Sequence, residues 1–115
     1  MLHIKYRADN RCFFFLPAEV TCFDVEITTT QYGRESSWSF GSCSSSQAYT
    51  DNSVYSEQCC LSPGDHTLKC KDSYGDGWHG GFIEIGGERY CEDFTSGKEK
   101  TTSAATREPL YFACF

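Results

Sequence analysis

Eight cysteines, Cys12, Cys22, Cys43, Cys59, Cys60, Cys70, Cys91 and Cys114, constrain this 115-residue chain more than any other feature of its sequence. Their number is even and they span the whole length. None stands in the C-x-x-C spacing of zinc ribbons and thioredoxin-like redox sites. A single domain of this size, taken as residues 1–115, buries a modest core and gains from covalent staples. The cysteines therefore point to a disulfide framework and an oxidising, extracellular compartment. Eight cysteines allow 105 pairings, and spacing does not choose among them. Cys59 and Cys60 are expected to take different partners, because a bridge between neighbours departs from the preferred geometry.

The opening residues, MLHIKYRADNRC, contain no apolar run long enough for a signal peptide, and no stretch of the chain is apolar enough to span a membrane. Either the chain starts at a mature or engineered end of a secreted protein, which is the favoured reading, or export uses another route. Asn10 and Asn52 both lack the N-x-[ST] context for glycosylation. Sixteen acidic residues face ten basic ones, for a formal charge of −6. That balance argues against nucleic acid or an anionic membrane as partner, since both require a basic face. It suits cation binding, and equally a merely solvated acidic surface.

Alternation with a period of two dominates, and no helical stripe stands out. Strands are expected at LHIKY, at CFFFL (12–16), within VTCFDVEITTT (20–30), at SSWSFGSC (36–43) and at HTLKCKD (66–72), the last led in by the turn SPGD. GFIEIGG and ERYCEDF form a hairpin around Gly86-Gly87. Residues 44–58 read as loops with one short strand, TSGKEKTTSAATRE as a polar connection, and PLYFACF (109–115) as a final strand. Some eight short strands with polar turns predict an all-β, disulfide-stapled β-sandwich of jelly-roll type. Cys12, Cys22 and Cys43 share spacings with Cys60, Cys70 and Cys91, but too few other positions match to make a repeat.

Residues 71–81, KDSYGDGWHGG, put two carboxylates, a Tyr and a Trp among four glycines. So much glycine disfavours helix, and Gly and Asp are poor strand residues. Glycine lets the backbone take positive φ and turn carbonyls inward, and calcium takes six to eight such oxygens. Asp72 and Asp76 are candidate ligands on that ground; capping of turns by the same residues is the alternative. An EF-hand is excluded, because Tyr74 and Ile83 stand where that loop requires a ligand and a bidentate Glu.

A third carboxylate, Glu35 in QYGRESSW, also follows a Tyr-Gly pair and precedes Trp38. From Val20 to Thr102 the chain resembles the extracellular modules marked by a D-S-Y-G-D-G-W-N-G-G signature. The matching pieces are Glu35 and Trp38, then Cys60, Ser62-Pro63-Gly64, the strand 66–71, the loop Asp72–Gly81, and FIEIGGERYC. Those modules are in turn similar to CUB-like jelly-roll domains, in which a Glu and two Asp hold one calcium ion. The resemblance implies Glu35, Asp72 and Asp76 as side-chain ligands, with carbonyls near Tyr74, Gly77 or His79 completing the shell. His79 departs from the signature, which has Asn at that position.

Tyr74 and Trp78 are candidate ligand contacts, able to stack on a sugar ring; a Trp in such a domain also commonly fills space. No nucleophile accompanies His3, His66 or His79, and no hydrolase or phosphate-loop motif occurs. Glu35 with Asp72 or Asp76 could pose as a hydrolase pair, but the calcium assignment uses the same residues. The expectation is a secreted, non-enzymatic calcium-binding module for adhesion or assembly, partnered by further copies or by a matrix or surface protein. A calcium-dependent carbohydrate-binding module is the alternative.

Overall fold

The computed structural model describes residues 20–106 in full and the backbone of residues 3–6 and 12–15. Strands β1 (His3–Tyr6) and β2 (Cys12–Phe15) pair antiparallel as a separate two-stranded sheet. Eight further strands build two four-stranded antiparallel sheets, and these form the expected β-sandwich. One sheet has the order β6 (Val54–Leu61), β3 (Thr21–Thr28), β8 (Phe82–Ile85), β9 (Glu88–Tyr90). The other has the order β10 (Glu99–Thr106), β7 (Gly64–Asp72), β4 (Ser36–Phe40), β5 (Cys43–Ser44).

The alternation read from the sequence is the alternation of burial. In β3, Val25 and Ile27 are buried while Asp24 and Glu26 face solvent. Phe40, Leu68, Ile83 and Ile85 meet them from the other strands, and Trp38 belongs to the same core cluster. Gly86-Gly87 turns the β8–β9 hairpin with φ of 60° and 83°, which glycine adopts without steric cost.

Two expectations need correction. Residues 99–106 are not a connection but the edge strand β10, paired with β7 along its whole length. Its threonines suit a strand, and the small Ala104 and the Thr106 hydroxyl, which donates to the carbonyls of Ser62 and Gly64, point inward. The strand expected within 44–58 begins at Val54 and runs on through both vicinal cysteines to Leu61. The strand expected over 109–115 lies outside the described residues.

Consecutive residues of a strand face opposite sides, so Cys59 and Cys60 part company. Cys59 is buried and bridges to Cys43 on β5, joining the two sheets. Cys60 faces outward and bridges to Cys22, its register partner on β3. Cys70 on β7 bridges to Cys91 just after β9, a second tie between sheets. The side chains of Cys12 and Cys114 lie outside the described residues.

Edge strand β6 carries Glu57, whose Oε1 accepts hydrogen bonds from the Ser46 N–H and hydroxyl. Its Oε2 accepts one from the Tyr49 hydroxyl, and that hydroxyl accepts from Trp38 Nε1 at 2.8 Å. Burial pushes the Glu57 carboxyl up, but the hydrogen bonds from Ser46 and Tyr49 outweigh it and hold the group below the usual carboxylate range. Glu57→Gln turns one acceptor into a donor facing a donor. It should cost about 1–3 kcal/mol in urea unfolding at neutral pH. Because the folded value is depressed, this contribution is complete above the unfolded carboxylate range of about 4. It is lost as pH falls from there through the folded value, so the gap between wild type and variant should close in acid.

Candidate metal centre

Strand pairing brings the two halves of the site together. Ser36 on β4 is the register partner of Asp72 on β7, so Glu35 and Asp72 meet at one end of this sheet. Glu35 closes a short 3₁₀ turn, Gly33–Glu35, and its carbonyl accepts the Ser73 N–H at 3.0 Å. The turn is pinned at Gly33, where the N–H donates to Asp51 Oδ1 at 2.8 Å. A Cβ at Gly33 would sit 2.5 Å from the Thr50 carbonyl oxygen, so no side chain fits there.

Asp72 is 2% exposed and organises the loop beneath it. Its Oδ2 accepts the N–H groups of Asp76 (2.6 Å) and Gly75 (3.0 Å), and its Oδ1 accepts that of Tyr74 (3.3 Å). The turn-capping alternative therefore holds for Asp72, and it accounts for nothing at Asp76. Asp76 Oδ1 is a buried atom with no hydrogen-bond partner, and one oxygen each of Glu35, Asp72 and Asp76 lie within 4.8 Å of one another.

The loop crosses from β7 to β8 under firm restraint. Gly75 accepts from the Gly97 N–H at 2.9 Å, and Trp78 donates from its backbone to the Phe94 carbonyl at 2.9 Å. Gly77 lies buried at φ 80°, and a Cβ there would come within 2.2 Å of the Phe94 carbonyl oxygen. Gly77 is thus required by close packing as well as by its backbone conformation.

Trp78 does not present a stacking face. It is 3% exposed, its indole N–H donates to the Lys71 carbonyl at 2.8 Å, and its ring packs on Phe94. The expectation of ligand contact is corrected for this residue: a ring of this size buried between two sheets gains more from packing than from solvent. Tyr74 is 73% exposed beside the carboxylates and keeps that role open.

The His79 carbonyl accepts the Thr30 hydroxyl at 2.8 Å. Its imidazole approaches the cluster as well, with Nε2 3.2 Å from Asp76 Oδ2, and lies against the Tyr32 ring. Its φ of 54° is left-handed, a conformation in which Asn and His are both enriched among non-glycine residues. Position 79 can therefore exchange Asn for His without changing the backbone. The Tyr32 ring contact and the Thr30 tie were not legible beforehand, because each joins segments far apart in the chain.

The charges interact. Burial, then the carboxylates of Asp72 and Asp76, push the Glu35 carboxyl up. Burial also pushes Asp72 up, but hydrogen bonds from Asp76 and from the backbone of Tyr74 and Gly75 outweigh it and hold Asp72 down. An all-oxygen cluster of three carboxylates, one of them with an unpartnered oxygen, has the donor chemistry of a hard-cation site. Comparison with protein-family models, curated proteins and solved structures finds no match to this chain.

Proposed function

We propose that this chain is a non-enzymatic extracellular module whose SYGDGW loop is organised by one calcium ion, held by Glu35, Asp72 and Asp76, and that the module serves adhesion or assembly. The observation that carries the proposal is the convergence of three carboxylates with a buried, unpartnered oxygen on Asp76. Like charges so close raise the cost of keeping one another ionised, and a divalent cation relieves it. Calcium is favoured over zinc because the cluster is three carboxylates with a single imidazole, His79, beside it, whereas zinc sites are built chiefly from His and Cys. The nearby Cys70 is in a bridge. A hydrolase is disfavoured by the same geometry. Glycosidase carboxylates stand about 5 Å or more apart around a scissile bond, whereas Asp72 is buried and its oxygens accept backbone N–H groups.

The extracellular setting rests on three disulfides in a small domain. Among the described residues no helix is long and apolar enough to cross a membrane. The adhesion or assembly role, in an extracellular filament, coat or matrix, draws on the β1–β2 pair. It forms a sheet of its own, and a lone two-stranded hairpin is marginal in water, so pairing with another copy or a surface protein would stabilise it.

Terbium luminescence tests the metal site. Excitation of the aromatic residues should sensitise bound terbium, calcium should quench the emission by displacement, and Asp76→Asn should abolish it. Unsensitised terbium in the wild type would end the proposal. Sedimentation velocity in calcium tests assembly, where a strict monomer at every concentration would exclude it. The exposed Tyr74 favours one second role, calcium-dependent carbohydrate binding. A glycan array read with and without EDTA decides that, silence throughout counting against it.

A further inference from the structure

We propose that the Cys22–Cys60 bridge is a thiol-exchange site, open to a small cationic thiol while the rest of the fold stays intact. The three described bridges differ in placement. Cys43–Cys59 and Cys70–Cys91 run between the sheets; Cys59, Cys70 and Cys91 are 1%, 0% and 3% exposed, and Cys43 is half-buried. Cys22–Cys60 joins two strands of one sheet on its outer face, where Cys22 is exposed and Cys60 half-buried. Exchange requires a thiolate to reach a disulfide sulfur, and exposed bridges are the labile ones.

Opening this bridge leaves its strands joined. β3 and β6 are paired in register from Thr21↔Leu61 to Thr28↔Val54, with Cys22↔Cys60 one pair of the eight. The bridge is therefore redundant with the ladder in a way that the two ties between sheets are not. It also stands at the start of β3, whereas Thr30, beyond the end of that strand, holds the carboxylate loop. The exchange site does not depend on calcium.

An incoming thiolate attacks Sγ of Cys22. The new S–S bond forms as the Cys22–Cys60 bond breaks, and Cys60 leaves as a thiolate that takes a proton from water. A second thiol resolves the mixed disulfide, leaving two protein thiols and the oxidised form of the small thiol. Asp24 and Glu26 are exposed on the same face as Cys22, so the surface repels anionic thiols and favours cationic ones. Cysteamine should react faster than glutathione, and added salt should narrow the difference.

The test uses the oxidised wild-type protein under native conditions. Graded cysteamine or glutathione is followed by alkylation and peptide mapping, with near-ultraviolet circular dichroism recorded in parallel. Cys22 and Cys60 should be labelled roughly tenfold or more faster than Cys43, Cys59, Cys70 and Cys91, with the dichroism retained. Equal labelling of all six, labelling of Cys22 and Cys60 only as the dichroism is lost, or no preference for cysteamine at low salt would overturn the proposal.

Discussion

Asp72→Ala should lower the stability of the protein in EDTA by about 3 kcal/mol or more, whereas Asp76→Asn should leave it unchanged or slightly higher. The two carboxylates belong to one cluster but do different work. Asp72 accepts the N–H groups of Tyr74, Gly75 and Asp76, and its loss leaves these donors without a partner at the base of the loop. These bonds are part-buried, so each lost one costs toward the lower end of the about 1–3 kcal/mol of a fully buried donor, and the three together reach about 3 kcal/mol. Asp76 Oδ1 accepts nothing, and removing the Asp76 charge relieves Glu35, whose carboxyl it pushes up.

Acid separates these contributions further. The Asp72 value is depressed in the folded state, so its contribution is complete above the unfolded range of about 4 and is lost as pH falls through the folded value. Glu35 is raised, so its effect has the opposite sign: it favours the folded state below the unfolded value, and that advantage is lost as pH rises through the folded one. In EDTA, the gap between wild type and Asp72→Ala should therefore close below about pH 4. Urea unfolding across pH measures both effects. Equal costs for the two variants would contradict this division of roles.

Trp78→Ala should cost about 3–5 kcal/mol and lower the melting temperature by roughly 10 °C or more. The indole is 3% exposed, packs on Phe94 and donates to the Lys71 carbonyl, so truncation opens a cavity and leaves an acceptor unpaired. Tyr74→Ala, at the exposed tip of the same loop, should move stability by no more than about 0.5 kcal/mol. If Trp78→Ala were as stable as wild type, the burial of this ring would be wrong.

Much of the sandwich was legible because its signal is local. Val25 and Ile27 alternating with Asp24 and Glu26 define a strand with one wet face. Gly86-Gly87 names its own turn. Strand β10 was missed because its inward residues are small or polar, Thr102, Ala104 and Thr106 among them, and an edge strand of that kind carries little hydrophobic signal. The three carboxylates were named from loop composition and from a resemblance, and the β4–β7 register is what brings Glu35 to Asp72. Trp78 was ambiguous because a residue on a loop and a residue in the core look alike until the crossing between sheets is known. The cysteine pairing lay wholly beyond spacing, since it follows from which face of β6 each vicinal cysteine occupies.

The central claim is that a cation completes the Glu35–Asp72–Asp76 cluster, and a thermal melt in calcium and in EDTA tests it most directly. A ligand bound only by the folded state adds about 2.7 kcal/mol at a hundredfold excess over Kd. Wild type should melt well above its EDTA value in calcium, and Asp76→Asn should melt at the same temperature in both. Identical wild-type melts would contradict the calcium site and leave the loop as turn chemistry built on Asp72.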